Sequence, residues 1–241
     1  MDRNARQEIA CKDGKASGEL SLGVSTTIAQ YILPRLVGAF LADYPAVQFW
    51  LHSGNTSEIV ELLLNRKVAI GLIEGPSRDR GIRCEPFMED ELVLITPRQF
   101  ELEHLSGNQL LASRLLMREQ GSGSRRVVET ALEKAGFKLK SFRRVIDLDS
   151  TEAIKSAVEA GLGIGFVSRW AISKELELST LRVAPVSGAK IMRHFALVTR
   201  TGRNPMAQPA HCASSRSAEP ASSPTRCASP ARQAIPADKL C

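Results

Sequence analysis

LSLGVSTTIAQYILPRLVGAFLADY, residues 20–44, reads as one strand, one polar turn and one helix. Leu20, Leu22 and Val24 alternate with smaller or polar residues, as in a short strand. Ser25, Thr26 and Thr27 follow as three consecutive hydroxyls at the strand's C-terminal end. Pro34 suits the first turn of a helix, where its missing N–H removes no bond. Leu33, Leu36, Val37, Phe40 and Leu41 then make an apolar stripe at helical spacing. Pro45 disfavours helical geometry at Tyr44 and closes the element. A strand feeding a polar turn and a helix is one βα unit, and in open α/β sheets ligands sit at such turns.

Outward from this unit the pattern repeats. VQFWLH (47–52) reads as a strand, followed by Gly54-Asn55-Thr56-Ser57 and the helical IVELLLNR. Asn55 and Glu58 have the spacing of a capping box. VAIGLI (68–73) and LVLIT (92–96) are short apolar runs of the fully buried strand type. In the second half, Leu115 to Met117 leads into Arg118-Glu119-Gln120-Gly121-Ser122-Gly123-Ser124 and the helix RRVVETALEKAG. RVIDL (144–148) is a strand, TEAIKSAVEAG (151–161) a helix and GIGFV (163–167) a strand. A helix over 170–176 and strands over 181–186 and 194–199 complete the reading. Strands alternating with helices predict a mostly parallel sheet.

The 241 residues can bury a full core as one large or two small domains, and 43% hydrophobic content is ordinary for a globular protein. No apolar run reaches the roughly 18–20 residues of a membrane span. Residues 1–17 are polar, read as a linker or a helix end, and carry no apolar h-region; a cytoplasmic location is expected. The net charge is +6, but residues 203–241 hold five Lys or Arg against two Asp or Glu, so +3 belongs to that tail. The remainder is near balance and gives no electrostatic footprint for nucleic acid. The tail is rich in Pro, Ser, Ala and Arg, and disorder is expected from about residue 205. The five cysteines show no CxxC spacing, so free thiols are expected rather than a disulfide framework or a zinc site.

Four polar turns, at 25–27, 54–57, 119–124 and 149–152, each join a strand to a helix. Helix N-termini offer unpaired N–H groups and roughly +0.5 e of partial charge. Ser25, Thr26, Thr27, Thr56, Ser122, Ser124 and Thr151 add hydroxyl donors. This chemistry suits a small anion or a carboxylate-bearing metabolite. Asn55, Ser124 and Ser150 are also explained by capping alone, whereas the Ser-Thr-Thr run and Arg118 are harder to reduce to it. Gly121-Ser-Gly-Ser-Arg125 lacks the Gly-Lys-Ser/Thr ending of a P-loop and the third glycine of a dinucleotide loop. The four histidines lack metal spacing, and no GxSxG elbow occurs. No catalytic residue, metal or cofactor is expected.

Residues 18–200 resemble the effector-binding domain of LysR-type transcriptional regulators. The resemblance rests on GELSLGVSTTIAQYILPRLVGAFLADYP, HSGNTSEIVELL, VAIGLIEG, FMEDELVLITP, REQGSGSR and DSTEAIKSAVEAGLGIGFVS, in that order. The combination is most similar to the branch of the CbbR and CysL regulators of carbon fixation and sulfur metabolism. It implies an α/β fold of two Rossmann-like lobes joined by crossover strands, type-2 periplasmic-binding-protein-like. Lobe I would span 18–94, with about 200–204 returning to it, and lobe II 95–199. The implied ligand is a small anionic metabolite or inorganic anion held between the lobes by Ser25, Thr26, Thr27, Asn55, Thr56, Arg118, Ser122, Asp149, Ser150 and Thr151. Also implied is a homodimer or homotetramer paired through Leu33, Leu36, Val37, Phe40 and Leu41. DNA would be met only through a helix-turn-helix domain that these residues do not include. A transporter's solute-binding protein and an enzyme of the same fold are the alternative readings. The chain departs from the family pattern in two further places. Ala69 stands where an aspartate is usual, and the Pro/Ser tail replaces a C-terminal helix.

Overall fold

A computed structural model describes residues 10–12, 15–77, 79–100, 106–185 and 190–201. The tail expected to be disordered, the 202–204 part of the expected return to lobe I and most of the N-terminal linker lie outside them. In chain order the first lobe contains β1 (Ala10–Lys12), β2 (Lys15–Ser25), α1 (Thr26–Tyr31), α2 (Leu33–Asp43), β3 (Ala46–Gly54), α3 (Thr56–Leu64) and β4 (Ile70–Glu74). The long β5 (Ile82–Pro97) leads out of it. The second lobe contains α4 (Gly107–Ala112), β6 (Arg114–Arg118), α5 (Gly123–Lys134), β7 (Arg144–Leu148), α6 (Thr151–Glu159), β8 (Ile164–Ser168), α7 (Ser173–Glu177) and β9 (Leu181–Ala184). Last comes β10 (Ile191–Arg200).

The strands form one curled sheet in the order β1-β2-β4-β10-β5-β8-β6-β7, with β3 on the other side of β2 and β9 on β5. Strands β2, β3 and β4 are parallel, as are β6, β7 and β8. β5 and β10 run antiparallel to each other between the two sets. Phe195 to Val198 of β10 pair with β4, whereas Leu92 to Ile95 of β5 pair with β8. These two strands therefore serve both lobes; the division expected near residue 94 falls within β5, and β10 already meets lobe I from Phe195.

Alternation along the strands buries both faces. In lobe I, Leu20, Leu22, Val24 and Phe195 pack under α1 and α2, and Ile73 and Val198 pack against Ile59 and Leu63 of α3. In lobe II, Leu92, Leu94, Leu115 and Met117 face Val128 and Leu132 of α5. On the other side Val93, Ile95 and Leu116 face Ile154 and Val158 of α6.

Three local readings are corrected. The Ser-Thr-Thr run is not a loop: Ser25 is the extended N-cap, and Thr26 and Thr27 open α1. Helical geometry then lapses at Ile32, two residues before Pro34, and resumes as α2. Residues 10–12 and 15–17, read as linker, pair as antiparallel strands. Ser124 is not a cap, because α5 begins at Gly123 and Ser122 accepts from the Arg125 N–H instead.

Candidate functional site

Arg118 ends β6, and its side chain is only 3% exposed. Its Nη2 donates to Thr26 Oγ1 at 3.0 Å and its Nη1 to Thr151 Oγ1 at 3.4 Å. One guanidinium thus joins the first turn of α1 in lobe I to the first turn of α6 in lobe II. Its Nε and Nη2 also hold the Glu119 carboxylate side-on, at 2.7 and 3.0 Å. Ser25 and Thr27 are each 1% exposed. Among the described residues their hydroxyl oxygens have no hydrogen-bond partner. Buried hydroxyls without a protein partner are uncommon in folded proteins and leave a donor and acceptor for a water or a polar guest.

Glu74, the last residue of β4, forms a second crossing. Its carboxylate accepts the Thr27 N–H at 2.8 Å, the Ser124 hydroxyl at 2.5 Å and Arg193 Nη1 at 2.8 Å. Arg193 Nε reaches Asp90 at 2.6 Å, and Asp90 takes the Ser168 hydroxyl at 2.7 Å. Burial alone would raise the Glu74 pKa. Arg193, the Ser124 hydroxyl, Arg118 and the Thr27 N–H together outweigh it and hold the carboxyl down at about 2. For Asp90 the balance reverses: burial raises its pKa despite Arg193 and Ser168. Lobe II approaches closely here, with Gly123 packed directly on the Glu74 carbonyl.

A third crossing lies beyond Arg118. The Tyr31 hydroxyl of α1 donates to Glu152 of α6. Lys155 pairs with Glu152 at 2.9 Å and Glu175 at 2.6 Å, its ammonium 5.3 Å from the Tyr31 ring centre. Burial, then the Glu152 carboxylate, push the Tyr31 phenol pKa upward.

The ten expected ligand residues separate into groups. Thr26, Arg118 and Thr151 meet at one point, with Ser25 and Thr27 beside Thr26 in the chain. Thr56 Oγ1 donates to the Glu74 carbonyl at 3.2 Å. The side chain of Asn55 is committed to a capping box with Glu58, and those of Ser122 and Ser150 to capping α5 and α6. Asp149 is exposed just before α6. Among the described residues no cluster of His, Cys, Asp or Glu could hold a metal. The sequence does not single out Glu74, Glu119 or Arg193, and Asp90, in the acidic run Glu89-Asp90-Glu91 that reads as a solvated face or cap, is buried instead. A separate cavity of about 890 Å³ runs along α5 and β10, lined mainly by apolar groups such as Pro86, Val127, Ala131, Phe137, Phe166 and Met192. It contains none of the ten.

Of the five residues expected at a subunit contact, Leu33 and Phe40 are buried in the chain's own core. Leu36, Val37 and Leu41 are half-buried. The neighbouring edge strand β3 exposes Trp50 at 47% and Leu51 at 51%.

Residues 13–211 match the family described as LysR substrate binding domain. The chain is 34% identical over 192 residues to a probable RuBisCO transcriptional regulator of Guillardia theta, covering 77% of this chain and 62% of that protein. It is 34% identical over 198 residues to the HTH-type transcriptional regulator CbbR of Sinorhizobium medicae, covering 81% of this chain and 62% of that one. The chain therefore spans about three fifths of the length of these relatives. Among solved structures, the CcmR regulatory domain of Synechocystis PCC6803 in complex with 2-PG superposes with a TM-score of 0.70 at 28% identity, over 78% of this chain and 90% of that one. The cofactor-binding domain of the Cbl transcriptional regulator shares the fold, with a TM-score of 0.68 at 24% identity, over 83% of this chain and 86% of that one.

Proposed function

The chain belongs to the LysR substrate-binding domain family, and on that premise we propose that it senses a small anionic metabolite or inorganic anion between its lobes. The observation that carries this reading is Arg118, a buried guanidinium bonded to hydroxyls of both lobes. A ligand there touches α1 and α6 at once, so its affinity depends on their relative placement. It can shift the lobes only by that difference in affinity. The CcmR regulatory domain, solved with 2-PG, supports a small-molecule guest. Regulators among the relatives favour this reading over a solute-binding protein or an enzyme of the same fold.

Transmission would run from α1 into α2, which follows it after one residue. The half-buried Leu36, Val37 and Leu41, with Trp50 and Leu51 on β3, form the face proposed to pair two copies. In a longer regulator, a helix-turn-helix domain would convert the altered pairing into altered DNA contact.

A thermal-melt screen against inorganic anions and small carboxylate or phosphate metabolites, 2-PG among them, tests the proposal. A ligand at about 100 times its Kd adds roughly 2.7 kcal/mol of stability. Thr26→Ala removes one neutral acceptor of a charge-assisted bond and is expected to weaken the hit about ten-fold, with the ligand-free melt as the folding control. Equal stabilisation of the parent, of Thr26→Ala and of Thr27→Ala would take the α1 hydroxyls out of the site.

A further inference from the structure

We propose that Glu119 is a built-in competitor for the ligand: its carboxylate occupies the Arg118 fork that an incoming anion must take. This rests on the cleft reading above and adds to it the class of guest and a control on its affinity.

The two partners differ in freedom. Arg118 is 3% exposed and tied to Thr26 and Thr151, whereas Glu119 is 26% exposed. Glu119 can swing into water; Arg118 cannot follow. The pairing through Nε and Nη2 is the side-on geometry of a guanidinium on a carboxylate or phosphate. Thr26 and Thr151 accept from Arg118, leaving their hydroxyl hydrogens for a guest beside the fork. The acceptor on the fork itself is supplied by the chain. The guest must present two oxygens in one plane, as a carboxylate, phosphate or sulfate does, and must displace Glu119.

The turn that carries Glu119 is held by its backbone: the Glu119 N–H donates to the Leu148 carbonyl at 2.9 Å, the Glu119 carbonyl accepts the Ser122 N–H at 3.3 Å, and the Gly121 carbonyl accepts the Ser57 N–H of lobe I at 3.2 Å. The carboxylate can therefore leave the fork without breaking these bonds.

The apparent affinity of a site that is open only part of the time falls by the open fraction. If the Arg118–Glu119 pair is formed about nine tenths of the time, removing the competitor strengthens anion binding about ten-fold. The experiment titrates inorganic phosphate into the full chain at constant ionic strength, using the parent, Glu119→Gln, Glu119→Ala and Arg118→Gln, with melts as a folding control. Binding about ten-fold tighter or more in both Glu119 variants, and lost in Arg118→Gln, is the expected result. Folded Glu119 variants that bind phosphate no better than the parent overturn the competitor. So does an absence of phosphate binding in every variant, because the vacated fork must accept it. If Arg118→Gln binds phosphate as the parent does, the cleft reading itself fails, separately from the role of Glu119.

Discussion

Arg193→Met is expected to lower the unfolding free energy by about 3–5 kcal/mol, the range for stripping one partner from a buried ion pair. Arg193 is 1% exposed, and the carboxylates it serves, Glu74 and Asp90, are 2% and 0% exposed. Methionine fills much of the volume but leaves two acids without their guanidinium. The triple variant Arg193→Met, Glu74→Gln, Asp90→Asn is expected to regain most of the loss, because no buried charge then lacks a partner. The Glu74 part of the pH dependence has a definite sign. Glu74 is held below its ordinary value, so its contribution is fully present above about 4.5 and is lost as the pH falls toward about 2. Arg193→Met should flatten that acid limb. Urea denaturation at several pH values reads both effects, and a loss under about 1 kcal/mol would show that the cluster is not the tie between lobes described above.

Gly123→Ala is expected to be nearly as damaging, at about 3 kcal/mol. A Cβ on Gly123 would lie 1.6 Å from the Glu74 carbonyl oxygen and 2.6 Å from Thr56 Oγ1. The atom in the way is backbone, so α5 must withdraw from β4 and carry Ser124 off the Glu74 carboxylate. Gly38→Ala is the control. It lies within α2 with nothing within 4 Å of the added carbon, and is expected to be neutral or stabilising by up to about 1 kcal/mol. Equal melting temperatures for Gly123→Ala and the parent would mean that the lobes do not abut at this point.

What the sequence made legible follows from how local each signal is. Apolar periodicity placed β2, β3, β4, β6, β7, β8 and most helices, because each buries a face readable within its own residues. The β5 strand was legible only from Leu92. Residues 83–91, RCEPFMEDE, are too polar to signal a strand and are held by pairing with β10 more than a hundred residues on. Pro86 is tolerated at the irregularity opposite Phe195 and Ala196. The start of α1 was missed for the same reason. The Thr27 N–H is satisfied by Glu74, 47 residues away, so no local cap announces it. Asn55 reads as a cap from its spacing to Glu58, and Asp149 or Ser150 as the cap of the later helix; the structure places the caps at Asn55 and Ser150.

Two of the missed residues had left a trace. In IMRHF, residues 191–195, alternation puts Arg193 in register with Ile191 and Phe195, on the face that strands bury. An arginine there demands a buried acid. Glu74 closes a run of six apolar or glycine residues, an exposed-type residue at the end of a buried strand. Neither trace names its partner, because the pairing of Glu74 with Arg193 spans 119 positions and exists only once the crossover strands are in place.

The site reading is most exposed to a backbone amide NMR titration of the full chain with phosphate or a hit from the melt screen. Binding between the lobes moves the amides of Ser25, Thr26 and Thr27, of Arg118 and Glu119 and of Thr151, on elements from both lobes, and leaves those lining the 890 Å³ cavity along α5 little changed. Shifts centred instead on Val127, Ala131 and Met192, with Thr26 and Thr151 unmoved, would contradict it and place the guest in the apolar cavity.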